Sequence, residues 1–206
     1  NLFVYLDTDH TNMEVQDRLT NELEDMIQRK FFDVVFMEGY SGIYMPPHNF
    51  PNEGSFRKAA IKRAGRVPAV DLLIYRNQEK LVKGELVIYG VEDESLFTEH
   101  RKSMKYMLEQ FKKLEKDPDD LVAKEEFDKY RLKCDQLTHQ RSVASSRKIQ
   151  DQMVQRGLVN AGLIYGLGHF DAIKMLIKEE GLGYLSFFPG KPEVVDDKVF
   201  EHIEKL

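Results

Sequence analysis

"NLFVYLDTDHTNMEVQDRLTNELEDMIQRKFFDVVFMEG", Asn1 to Gly39, decides the fold. Its first seven residues are a short apolar run with β-branched and aromatic side chains, which predicts a buried strand. Val15, Leu19, Leu23, Met26 and Ile27 then recur at helical spacing, and Thr11 or Asn12 is placed to cap the exposed amides of the first turn. "DVVFMEG" repeats the strand signal and ends at Glu38-Gly39. A strand, a helix and a strand with short joints predict a parallel pair with a right-handed crossover.

The same alternation returns later. "GELVIYGVED" reads as a third strand, Glu85 to Tyr89, ending at Gly90 before Glu92 and Asp93. "NAGLIYGLG" reads as a fourth and "LGYLSFFPG" as a fifth. Between and after them, "SFRKAAIKRAG" is a short helix closed by Gly65, and "VPAVDLLIYRNQ" another after Pro68. "HFDAIKMLIKEEG" and "PEVVDDKVFEHIEKL" are helical as well. "YSGIYMPPHNFPNEG" holds three prolines and reads as a long surface loop. From Glu94 to about Arg156 the composition is almost purely helical, broken at "DPDD", where Pro118 suits a first helical position. The expectation is an α/β fold in one domain over 1–206, with a mostly parallel sheet of about five strands and flanking helices. A long helical insertion at about 94–140 would project as a hairpin.

Bulk properties exclude several classes. The chain has 206 residues, enough for one sizeable core. Its net charge of −5 argues against a nucleic-acid surface. No run approaches the roughly 18 apolar residues of a membrane helix. Cys134 stands alone, so no intramolecular disulfide is expected. The chain opens at Asn1 rather than Met, which suggests a processed chain or a fragment and leaves a cytoplasmic and an exported fate both open. The expected partner is a small molecule or a peptide; oligomeric state is not legible.

In an open α/β sheet, ligands bind beyond the carboxyl ends of the strands. Those ends carry Asp7, Asp9 and His10, then Glu38, then Glu92 with Asp93, and finally His169. Gathered on one edge, two histidines and two or three carboxylates would suit Zn²⁺, Mn²⁺ or Fe²⁺, and would equally suit metal-free acid–base work. Each histidine also directly precedes a helix and could simply cap it. Glu38 follows "VVFM" at the rim of the core, where a lone carboxylate is costly unless paired, and Arg147 is its expected partner. His48 falls in the loop, and His100, His139 and His202 fall in charged helical patterns that predict solvent faces. Gly166 and Gly168 lack the third glycine of a dinucleotide fingerprint, and no Walker loop, G-x-S-x-G elbow or H-E-x-x-H is present.

The order of these pieces resembles the superfamily that groups erythromycin esterase and ChaN-like proteins with the TraB/TIKI proteins, and most of all its uncharacterised bacterial branch. Asp7-Thr8-Asp9-His10 stands where that superfamily has Glu-x-x-His, with the glutamate shortened to aspartate and Thr11 in place of a glycine. Glu38 matches the strand-end glutamate, Glu92 in "YGVED" the third-strand acid, and Gly166-Leu167-Gly168-His169 the last motif. The helix arginine best matches Arg147, with Arg141 as a rival. The resemblance implies one of three behaviours: metal-dependent peptidase, metal-free lactone esterase, or haem binder. The shorter arm at Asp7 puts full activity in doubt.

The leading expectation is therefore a hydrolase of ester or amide bonds. In its metal form His10, Glu38 and His169 hold a divalent ion, Asp7 or Glu92 serves as a further ligand or general base, and Arg147 stabilises the oxyanion. In its metal-free form His10 or His169 activates water and Glu38 orients it. The helices from Glu94 to Gln140 and the loop with Tyr40, Tyr44, Met45 and Phe50 would cover the site. The alternatives are a non-catalytic haem- or metal-binding protein, or a scaffold docking through Leu108, Phe111 and Leu114.

Overall fold

The computed structural model describes residues 1–7, 9, 11–43, 50–166, 169, 174 and 184–187. It is an α/β fold built on one six-stranded sheet. In chain order the elements are β1 (Leu2–Asp7), α1 (Met13–Gln28), β2 (Val34–Met37), β3 (Ser41–Ile43), α2 (Glu53–Ala64), α3 (Ala69–Arg76), α4 (Gln78–Lys83) and β4 (Val87–Val91). They continue with α5 (Glu94–Leu114), α6 (Leu121–Gln155), β5 (Ala161–Gly166) and β6 (Tyr184–Phe187). The strands lie in the order β3-β4-β2-β5-β1-β6, and every pairing is parallel except β3 with β4.

All five expected strands are present, and the sixth, β3, opens the segment expected to be a loop. Residues 44–49 of that segment lie outside the described residues, as do the two helices expected from residue 169 onward except for His169 and Lys174. The reason for β3 is local. The chain leaves β2 at Glu38 and crosses the carboxyl end of β4, with Gly39 and Gly42 at positive φ, to pair on the far side of that strand. Glu92 N–H then donates to the Tyr40 carbonyl at 2.8 Å. Gly90 is what admits this crossing, because a Cβ there would stand 2.3 Å from the Tyr40 carbonyl carbon and oxygen.

Parallel strands need apolar cover on both faces. On one face Tyr5, Val35, Met37, Ile88 and Ile164 pack against Val15, Leu19, Leu23 and Ile27 of α1 and Leu73 and Ile74 of α3. On the other, Leu2, Val4, Leu6, Phe36, Leu163 and Tyr165 meet Ile149 and Met153, near the carboxyl end of α6. Asn12 caps α1 by accepting from the amides of Glu14 and Val15. Pro118 is not the first residue of α6: it sits in the preceding turn, and Asp120 caps that helix by accepting from Ala123 N–H. The region from Glu94 to Arg156 thus forms two helices, α5 and α6, which pack antiparallel beyond the sheet with Tyr106 stacked on Tyr130 and Phe111 against Phe127. No described helix is long and apolar enough to cross a membrane.

Gly90→Ala is expected to cost roughly 1–3 kcal/mol in chemical denaturation, since the new methyl meets backbone and no rotamer can relieve it. Gly54→Ala, where the nearest atom to a new Cβ is the Asn52 side chain at 3.4 Å, is expected to leave stability unchanged or raise it.

Candidate functional site

The carboxyl ends of β1, β2, β4 and β5 meet at one edge because β5 is inserted between β1 and β2. Glu38, the residue after β2, is tied to β5 through its own N–H, which donates to the Ile164 carbonyl, and through its side chain, where Oε2 accepts from Gly166 N–H at 2.8 Å. Its other oxygen, Oε1, accepts from Arg141 Nη2 at 3.0 Å and from His169 Nε2 at 3.2 Å.

Arg141 is the pivot of the site. Its Nε and Nη2 donate to the two oxygens of Glu92 at 2.9 and 2.8 Å, a bidentate fork, and Nη2 is shared with Glu38. Its Nη1 donates to His100 Nδ1 at 3.2 Å, and its guanidinium lies 5.2 Å from the Phe97 ring centre. Because arginine can only donate, His100 accepts on Nδ1 and carries its proton on Nε2, which faces Thr138 Oγ1 at 3.2 Å. His169 is held on its other side by Ser142 Oγ, 2.7 Å from Nδ1, and its ring meets Tyr165 edge-on. Tyr165 in turn donates to Ser145 Oγ at 2.7 Å. Lys148 Nζ donates to the Glu92 carbonyl, and Gly39 N–H reaches Glu92 Oε2 at 3.3 Å.

The electrostatics follow from these contacts. Burial by itself would push the Glu38 carboxyl up, but the His169 hydrogen bond and charge, Gly166 N–H and Arg141 together carry it down to about 2. Burial, with the charges of Arg141 and His169, pushes His100 below its ordinary value. Burial above all, with the Glu38 charge, pushes the Tyr165 phenol up.

Beside Glu38 opens a cavity of about 270 Å³ lined by Asp7, Gln16, Tyr40, Arg66, Asp71, Phe97 and Gly166 among others. Asp7 ends β1 and accepts from Gln16 Nε2 at 2.8 Å, while Gln16 Oε1 accepts from Ala69 N–H at 2.7 Å. One buried amide thus joins the first strand to the start of α3.

The sequence expectations fare unevenly against this geometry. Glu38, Glu92 and His169 are brought into one connected cluster, and Asp7 faces the cavity next to it. His10 lies outside the described residues, as do His48, His202, Tyr44 and Met45. Arg147 does not partner Glu38: it is exposed, roughly 120° around the helix from Arg141, which makes the contact instead. Arg141 is also no oxyanion donor as it stands, because it is buried and its fork is occupied by two carboxylates. His100 was expected on a solvent face and is buried in the cluster; His139 is exposed as expected. Phe50 packs on Phe56 rather than on the cavity. The missed members, Thr138, Ser142 and Ser145, had a signal. With Arg141 they recur three and four residues apart, on the stripe that continues into Ile149 and Met153.

Among the described residues no group of three His, Cys, Asp or Glu side chains is arranged to hold a metal ion. The donors that are described do not fit one as they stand. Both ring nitrogens of His169 are engaged, and Glu38 has a guanidinium on one oxygen and an amide on the other.

Removing Arg141, as in Arg141→Leu, leaves Glu92 buried without its partner and is expected to cost about 3–5 kcal/mol in denaturant titration. The depressed Glu38 carboxyl contributes stability that is present above its ordinary value of 4.5 and lost as pH falls toward about 2. Glu38→Gln should therefore flatten the fall in stability between those pH values. Some slope should remain, because Glu53, hydrogen-bonded by Arg76 and Arg57, is also held down to about 2.

Comparisons with protein-family models, with curated proteins and with solved structures found no match to this chain.

Proposed function

We propose that the protein is a hydrolase of ester or amide bonds working without a metal, with Glu38 at the reacting centre. The observation that carries this is the surplus of carboxylate around Arg141. Glu92 alone, buried and bidentate, already neutralises that guanidinium. A second carboxylate is not needed for the ion pair, yet Glu38 is fixed from three directions with about a quarter of its side chain exposed, at the wall of a cavity. Rigid placement of a charged group at the carboxyl edge of a parallel sheet is how α/β folds present reactive groups to ligands.

In this reading a water molecule sits on Glu38, which aims its lone pair at the substrate carbonyl. A carboxyl that holds its proton only near pH 2 is a weak base, so Glu38 positions the water rather than taking its proton. The water's proton goes to a base, which returns it to the alcohol or amine that leaves as the C–O or C–N bond breaks. The sequence offers His10 for that role, three residues beyond Asp7, and Asp7 itself lines the cavity. Arg141, Glu92, Ser142 and His169 hold Glu38 in place. Phe97 and Tyr40 line the cavity and limit what enters it. A divalent ion on His10, Glu38 and His169 is the second reading; it requires His169 to give up either Ser142 or Glu38. Haem is disfavoured at this cavity, whose volume lies below the ~300–1,000 Å³ of pockets that take drug-sized ligands.

The purified protein should turn over some member of a panel of small aryl and alkyl esters and anilides, with the rate unchanged by EDTA. Glu38→Gln should lower kcat by about 10²–10⁴-fold while its circular dichroism stays that of the parent. No turnover across the panel, or a Glu38→Gln variant as fast as the parent, would overturn the reading; loss of activity in EDTA restored by Zn²⁺ or Mn²⁺ would favour the metal form.

A further inference from the structure

The described arginines with the strongest burial have partners. Arg57 holds Asp17 and Glu53, Arg76 holds Glu53 and Glu24, and Arg141 holds Glu92 and Glu38. Arg66 is different. It is half-buried at the wall of the cavity beside Glu38, and no described residue offers it a hydrogen bond or an ion pair. The cavity's acids are committed elsewhere: Glu38 to Arg141, His169 and Gly166, Asp7 to Gln16, and Asp71 to a contact of its own. None stands within 4 Å of the Arg66 guanidinium, which presents a planar fork of donors. Much of the remaining lining is apolar: Met37, Pro68, Val70, Phe97 and Ile164.

We infer that Arg66 is the anchor for a carboxylate on the substrate, so that the cavity selects monoesters or monoamides carrying a free carboxylate a few bonds from the bond to be cleaved. The inference rests on the hydrolase reading for the cleavage, though not for the binding. A sphere of the cavity's volume is about 8 Å across. A carboxylate seated on Arg66 and a carbonyl against Glu38 must therefore belong to one short molecule, or to the short end of a longer one. A fork of N–H donors matches a carboxylate with two parallel hydrogen bonds and gives nothing comparable to a neutral ester. A binding site with an unmet charge also rejects the neutral analogue, which would strip water from the guanidinium without replacing its contacts. The apolar walls then take the methylene chain between the two ends.

Monomethyl glutarate and dimethyl glutarate separate the possibilities, since they differ in one charged group and little else. Binding would be measured by isothermal titration to the parent, to Glu38→Gln, to Arg66→Ala and to Arg66→Lys, with thermal unfolding as the control for folding. Arg66→Ala is expected to unfold near the parent's temperature, because it breaks no hydrogen bond or ion pair among the described residues. The monoester should bind the parent and Glu38→Gln at least tenfold more tightly than the diester. That preference should vanish in Arg66→Ala, survive in part in Arg66→Lys, and shrink as salt is raised. Equal binding of the two esters, binding of neither, or a preference that persists in Arg66→Ala would overturn the inference. Failure of the hydrolase reading looks different: neither ester is cleaved by the parent while the binding preference stands.

Discussion

One guanidinium buried between two carboxylates organises the carboxyl edge of the sheet. Arg141 comes from α6, Glu92 from the end of β4 and Glu38 from the end of β2, so a single side chain ties two strands to the helix that covers one face. Taking three charges out of water is costly, and the arrangement holds only because each charge is met in full. Arg141 uses Nε and both terminal nitrogens, Glu92 receives from three donors counting Gly39, and Glu38 accepts from Arg141, His169 and Gly166. The neutral partners serve the same end. His100 takes the last guanidinium nitrogen, and Ser142 holds the ring that donates to Glu38. A cluster this interlocked resists rearrangement, which gives the mostly buried Glu38 carboxylate a fixed direction.

The fold was legible in the sequence wherever apolar periodicity carried the information. β1, α1 and β2 follow directly from the pattern of Asn1 to Gly39, and "ELVIY" and "GLIY" mark β4 and β5 for the same reason. β3 left no such trace. Ser41-Gly42-Ile43 has too few residues for alternation, and its pairing depends on a backbone crossing that only the missing side chain of Gly90 permits. At the site, Glu38, Glu92 and His169 were readable because polar residues at strand ends have no business in a core. Arg141 and His100 were harder, since a charged residue in a charged helix looks solvated until the helix's buried stripe is known. The choice between Arg141 and Arg147 turns on which face of α6 meets the sheet, and a period of 3.6 over a helix polar almost throughout does not settle that.

Helix α6 serves two neighbours in succession. Its first half pairs with α5 through Phe127 and Tyr130; its second half carries the buried Arg141, Ser142, Ser145, Ile149 and Met153, the last two packed on the sheet. Phe97, at the start of α5, lines the cavity and lies against Arg141. The hairpin and the site therefore share a wall.

The insertion of β5 between β1 and β2 bears on how the chain comes together. Leu2 pairs with Ala161 on one side and Tyr184 on the other, both late in the chain, and β1 and β2, though consecutive strands, are not hydrogen-bonded to each other. As the chain emerges from a ribosome, both strands and the apolar faces of α1 and α3 exist long before the strand that joins them. Until residues 161–166 arrive, the central slot of the sheet has two open, hydrophobic edges, the kind of surface that recruits other chains. The topology that gathers Asp7, Glu38 and Glu92 onto one edge thus leaves the middle of the sheet to be closed last.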